Sequence, residues 1–506
     1  LIGVLLAGAL LLTSCGSPSD QPSSGGTPGT LVVADGDQGE TLDPAVAFAG
    51  WYVNRNGIAE TLIDVDEQLN LIPKLATEWT NLDQTTWRLT LREGVSFHNG
   101  KPMDAEAVKA AIEYSIKTNV RAESQLPIAS MTAEGNVLTI ATSRPLAALP
   151  HILADPMMSI QALGEGIDPA TMPIGTGPFK VSEFAVHERV ELDANQQYWA
   201  GVPKLAHVTV KMYADLQARG LALQSGETDV VVQPEAAGLS VFSDTGKYRL
   251  WQVTSTRADG VILNTASPVL SDLKVRQAVD FAVNRDAYKA LMQGMGVPAY
   301  TVFPENVVFG GSEGLQLPVT SHDLAKAKQL LLDAGYTESN GQLGKDGKQL
   351  RLRLLTYPAR PELGRMAQLL QSDLAGIGVS VEISEIKSTA DTMKAGDFDL
   401  GMYSLATAPT GDSEYFFDTF LRSTAQTNYS HWNSPEFDAA LDKLSTTFDV
   451  QDRLSQSRAV EQVMLNETPY FMYGHRQWWV VSNVGVSGLH LLPTEYHMLT
   501  HETAVG

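Results

Sequence analysis

Trp87-Arg88-Leu89-Thr90-Leu91-Arg92-Glu93-Gly94-Val95-Ser96-Phe97-His98-Asn99-Gly100 is the most telling stretch of this 506-residue chain. Residues 87 to 91 alternate apolar and polar side chains, the period of a half-buried strand. Asn99-Gly100-Lys101-Pro102 then forms a tight turn. Asp104 follows as a helix cap, and Val108, Ala111, Ile112, Ser115 and Ile116 fall on one face of the helix behind it.

Similar units extend in both directions. Leu31 to Ala34 reads as a strand running into a turn at Leu42-Asp43-Pro44, and residues 136 to 142 and 208 to 212 read as further strands. Helical stripes appear at Val275, Ala278, Val279 and Ala282, and again at Leu324, Ala327, Leu330, Leu331 and Ala334, ending at Gly335. Pro361 suits a first helical position, with Leu363, Met366, Leu369, Leu370 and Leu374 behind it. That helix stops at Gly376-Ile377-Gly378 and leads into the alternating strand 379 to 383, while Ser434-Pro435 opens another helix. No internal repeat and no second linker interrupts the body, so its domains must meet through short crossings, as in two lobes joined by a hinge.

Cys15 is the only cysteine, and it follows an uncharged apolar run in Leu12-Thr13-Ser14-Cys15. Residues 1–15 read as a lipoprotein signal segment, with Cys15 as the lipidation site. Residues 16–30, rich in Gly, Ser, Pro and Thr, read as a flexible leash. The body is thus expected outside the cytoplasm, lipid-anchored to the cell membrane. With Cys15 lipidated, no thiol is left for a disulfide, a thiolate metal site or a nucleophile.

The 36 basic and 58 acidic residues give a net charge of -22, which opposes binding to nucleic acid. No His-Glu-x-x-His, Gly-x-Ser-x-Gly or phosphate-loop motif is present. Residues 341 to 348 look phosphate-loop-like but lie between a helix and a strand, which fits a hairpin turn. His490, His497 and His501 fit neither one helix face nor a zinc knuckle and read as singly bonded or solvated histidines. The chain is expected not to be an enzyme and to need no cofactor.

Residues 75–79, 87–100 and 102–106 resemble the signature of the peptide/nickel class (family 5) of solute-binding proteins that serve bacterial ABC importers. Pro173-Ile174-Gly175-Thr176-Gly177-Pro178-Phe179 and Val275-Arg276-Gln277-Ala278-Val279 are similar in the same way, and the resemblance runs in order over residues 31–500. It implies an α/β Venus-flytrap fold of two lobes. Lobe I would comprise 31–255 and 480–506, with a subdomain at about 77–183, and lobe II would comprise 256–479. It also implies a monomer that captures a small solute or peptide in the interlobe cleft and hands it to the permease subunits.

The resemblance further implies site residues. Thr410-Gly411-Asp412-Ser413 is similar to the stretch whose acid pairs with a peptide's ammonium group, so Asp412 takes that role. Arg360 stands where a basic residue grips the ligand carboxylate, and an arginine fork can bond both oxygens. Residues 407–412 and 493–496 look more like nickel and metal-chelate binders, whose clefts need arginines for chelator carboxylates and aromatics for packing. Trp51, Tyr52, Tyr429 and Trp432 are the aromatic candidates, Thr410 is a further contact, and His431 is the candidate metal ligand. Asp155-Pro156-Met157-Met158 lacks the arginine that nickel binders place there, and Arg121 is the candidate substitute. A nickel or other metal chelate is the leading ligand class and a di- or oligopeptide the alternative.

Overall fold

Two long antiparallel strands, Tyr248–Leu263 and Tyr470–Asn483, carry the architecture. At one end, Val480 to Ser482 pair with Val230–Val232, which continues into Thr30–Asp35, His207–Met212, Arg189–Ala194 and Phe179–Ala185. At the other end, Arg257 to Leu263 pair with Leu400–Ala406, followed by Arg351–Thr356 and Ser380–Glu385. A single 11-stranded sheet thus runs through both lobes. The ladder between the long strands slips register between Thr254 and Ala258 and again between Asp259 and Gly260. Such slips bend a strand and sharpen its twist.

This is a computed structural model describing residues 29–506. Cys15 and residues 16–28 of the expected leash lie outside the described residues.

Each end of the sheet has its own core. Leu31, Val33, Val208, Val210, Val230 and Trp478 pack together in one lobe. Val275, Val279, Leu331, Leu363, Met366, Leu370 and Leu400 pack in the other. Strands covered on both faces read as continuous apolar runs, and Val230–Val232 is fully buried for that reason. The helix Ala105–Thr118 forms as its sequence dictates: Asp104 accepts a 2.9 Å bond from the Ala107 amide, and Val108, Ala111 and Ile112 are buried. Pro361–Gly376 likewise buries Leu363, Met366, Leu370 and Leu374 before the chain turns at Gly378 into the next parallel strand. Residues 342–349 form the expected hairpin.

A separate four-stranded sheet, Ala76–Asn81, Thr86–Leu91, Val137–Thr142 and Ile128–Glu134, stands beside the first lobe. Its core is continuous with apolar side chains of the second lobe, including Phe303, Phe416, Phe417 and Phe437. The expected two-lobed α/β fold is present, with its lobes in contact.

Candidate ligand-binding cleft

The helix Ala49–Arg55 sets one wall. Its Gly50 lies so close to the turn Pro156–Met158 that a β-carbon would meet the Pro156 carbonyl oxygen at 2.4 Å. That approach fixes Trp51, which packs on Tyr496 at 5.7 Å between ring centroids and lies 5.8 Å from the Arg257 guanidinium. Arg121 adds a cation beside Trp51's neighbour Phe48, bonded to Asp155 at 2.5 Å and facing the Tyr415 ring at 6.0 Å. The second lobe contributes an aromatic wall, with Tyr357 and Tyr403 centroids 6.0 Å apart and Tyr403 and Tyr429 6.1 Å apart.

Four arginines converge here, and three are neutralised. Arg121 has Asp155, Arg257 has Glu495 at 3.0 Å, and Arg476 has Asp259 at 2.8 Å together with Glu362. Arg360 has no ion pair or side-chain hydrogen bond among the described residues. Its pKa is depressed, first by burial and then by the positive charges of Arg257 and Arg476, which Glu362 and Glu495 only partly offset. A guanidinium held this way is stabilised by an incoming anion. Trp51 Nε1, Arg121 Nε and Nη1, Ser404 Oγ and Tyr470 Oη are buried without a protein partner. Buried polar atoms ordinarily find partners, and a polar solute in the cleft would supply them.

The model of the bacterial extracellular solute-binding proteins, family 5, matches residues 70–428. The chain belongs to this family. The nickel-binding protein NikA of Staphylococcus aureus is 27% identical over 451 residues, covering 89% of each chain. The dipeptide-binding protein of Escherichia coli is 25% identical over 490 residues, covering 88% of this chain and 89% of the relative. A crystal structure of a nickel ABC transporter from Bacillus halodurans superposes with a TM-score of 0.83 at 32% identity, covering 94% of this chain and all of that one.

In this family 5 protein the residues singled out from sequence fall into three groups. Trp51, Arg121, Arg360 and Tyr429 lie among the arginines and aromatic rings just described. Tyr52 sits under the Arg55 guanidinium at 5.4 Å.

Asp412 and Thr410 are buried and line a separate small cavity with Leu146, Ile152 and Tyr415. Asp412 accepts 2.9 and 2.8 Å bonds from Arg453, which also bonds Glu414, and stands 3.5 Å from His151. Burial opposes its charge, but Arg453 and His151 hold its pKa down at about 2. Both oxygens are therefore engaged by the protein, which corrects the expectation of an acid free to grip an ammonium.

His431 and Trp432 turn to protein neighbours. His431 Nε2 lies 3.2 Å from the Met393 carbonyl. Trp432 is buried against Phe437 and donates its indole N–H to Glu467 at 3.0 Å, as a core residue does.

Sequence reasoning missed Arg257, Tyr357, Tyr403 and Tyr470 as cleft residues. Their only signal was an aromatic or arginine in or beside a strand, and that gains meaning only once the strands are aligned. A second cavity of about 520 Å³ opens on the first lobe, lined in part by Asp64, Lys74, Trp199, His490, His497 and His501. There His497 bonds Asp64 at 2.8 Å and His501 bonds Glu502 at 3.2 Å. Among the described residues no three His, Cys, Asp or Glu side chains are grouped to hold a metal.

Proposed function

We propose that this solute-binding protein of an ABC importer captures a small carboxylate-bearing metal chelate, a nickel or other transition-metal ion carried by amino-carboxylate ligands. The observation that carries this reading is the Arg360 guanidinium, partly buried, depressed in pKa and unpaired beside two further arginines. The engagement of Asp412 by Arg453 argues against a peptide's ammonium group as the primary anchor. Nickel-binding relatives support the same reading. Closure pivots where the long strands lose register near Thr254 to Ala258, and the closed form is what the permease engages.

Calorimetry on ligand-stripped protein tests this. Nickel with L-histidine should bind, and Arg360→Ala should weaken it by about 2–5 kcal/mol, the usual cost of removing one partner of a buried charged contact. Tight binding of di- or tripeptides with no response to the nickel complex would replace the chelate by the peptide alternative.

The same reading places the body outside the cytoplasm, tethered through lipid on Cys15. No described helix is long and apolar enough to cross a membrane. Cys15→Ser should release the protein from membranes with ligand affinity unchanged. A variant that still sediments with membranes removes the tether.

A further inference from the structure

Glu495 adopts φ +69°, a left-handed conformation that few non-glycine residues take. Such strain persists only where the surroundings impose it. Here its carbonyl accepts 3.2 and 2.6 Å bonds from Arg55. Its carboxylate accepts a 2.6 Å bond from Ser255 Oγ and bonds of 3.2 and 3.0 Å from Arg257 Nε, with Arg257 Nη2 at 3.0 Å. The Thr256 amide donates to Pro493 at 2.9 Å, so the loop is fastened to the crossing strand where its register slips. Burial works against the Glu495 charge, yet Arg257 and Ser255 hold its carboxyl below the usual range.

This fastening leaves one edge of a guanidinium for other use. Glu495 occupies Nε and Nη2 of Arg257, while Nη1 makes no protein hydrogen bond among the described residues. A guanidinium has five donors, so one edge can be anchored while the other still donates. Arg257 lies over Trp51 and near enough to Arg360 to lower that residue's pKa.

We propose that Glu495 is a positioning residue for ligand capture. It fixes Arg257 over Trp51, so that the free edge of Arg257 and the unpaired Arg360 form a two-guanidinium clamp that selects solutes with two carboxylates. This rests on the carboxylate-bearing chelate reading.

Two nickel complexes separate the clamp from a merely structural role: one with two L-histidines, carrying two carboxylates, and one with L-histidine and histamine, carrying one. Glu495→Gln should weaken the two-carboxylate complex about tenfold and leave the one-carboxylate complex within about twofold. Arg257→Lys should do the same, and the double variant should be no weaker than either single one. Glu495→Asp should restore part of the loss. Equal losses for both complexes, together with a lower melting temperature, would reduce Glu495 to a structural strut.

Trp51 fluorescence, isolated by difference against Trp51→Phe, gives a second measure without ligand. Glu495→Gln and Arg257→Lys should shift it alike, because both release the cation from the ring. If the parent protein binds neither nickel complex, the chelate reading fails. The fluorescence then decides alone: matching shifts keep Glu495 as the residue that places Arg257, and unchanged emission overturns it.

Discussion

His98, His151 and His475 are held as neutral imidazoles, and burial pushes the pKa of each down to about 4. The unfolded chain protonates them near 6.5, so it takes up protons first as pH falls. Stability is therefore lost progressively from about pH 6.5 to pH 4, by at most about 3 kcal/mol per histidine, and these groups add no further loss below that. Asp412 acts in a lower window, since its pKa of about 2 makes its stabilisation present above about 3.8 and lost toward 2. Denaturant midpoints measured across pH should fall between 6.5 and 4, and His151→Gln should remove part of the slope. A flat profile would show that these imidazoles charge without penalty. The chemistry of single residues was legible only as residue type: the resemblance marks Arg360 as a carboxylate fork, and its guanidinium has no ion pair among the described residues. Asp412 was equally visible as an acid, but its partner Arg453 lies 41 residues away on the helix Val450–Glu467, and only tertiary structure pairs them. His431 and Trp432 are adjacent in sequence yet turn to different neighbours, Met393 and Glu467, which no local pattern encodes.

Among the elements, the helix Ala49–Arg55 depends on the absence of a side chain. Gly50→Ala would place a methyl 2.4 Å from the Pro156 oxygen and 2.9 Å from the Pro44 oxygen, both backbone atoms that yield little. The helix should be displaced and carry Trp51 with it, costing about 1–3 kcal/mol of stability as overpacking does. Affinity for the nickel–histidine complex should fall as well, which calorimetry and thermal unfolding on one variant would show together. An unchanged melting temperature would mean that the turn moves freely. Helices with an apolar stripe, such as Ala105–Thr118 and Pro361–Gly376, were readable from spacing because hydrophobic burial is what orders them. Val450–Glu467 was not, because its buried face includes Arg453, Gln456, Ser457 and Glu461, and polar burial leaves no hydrophobic rhythm. The strand Tyr248–Leu263 was missed for a related reason: its first half mixes apolar and polar residues at accessible positions, and only its second half is largely buried.

For the whole molecule, the lack of any linker in the body led to an expectation of lobes joined by short crossings, and the sheet runs on through the long strands Tyr248–Leu263 and Tyr470–Asn483. That the crossings are strands of one continuous sheet was beyond sequence patterns, since sheet order depends on which distant segments pair. The strand Tyr470–Asn483 lies between Val230–Val232 and Tyr248–Leu263, well over 200 residues earlier in the chain. The middle rung of the ladder is therefore the last to be synthesised. Until it emerges, the strands that flank it keep open hydrogen-bonding edges, and neither lobe has a finished core. A chain made from its N-terminus therefore stays loosely structured through most of its synthesis. Its cleft is the last part of the molecule to take shape.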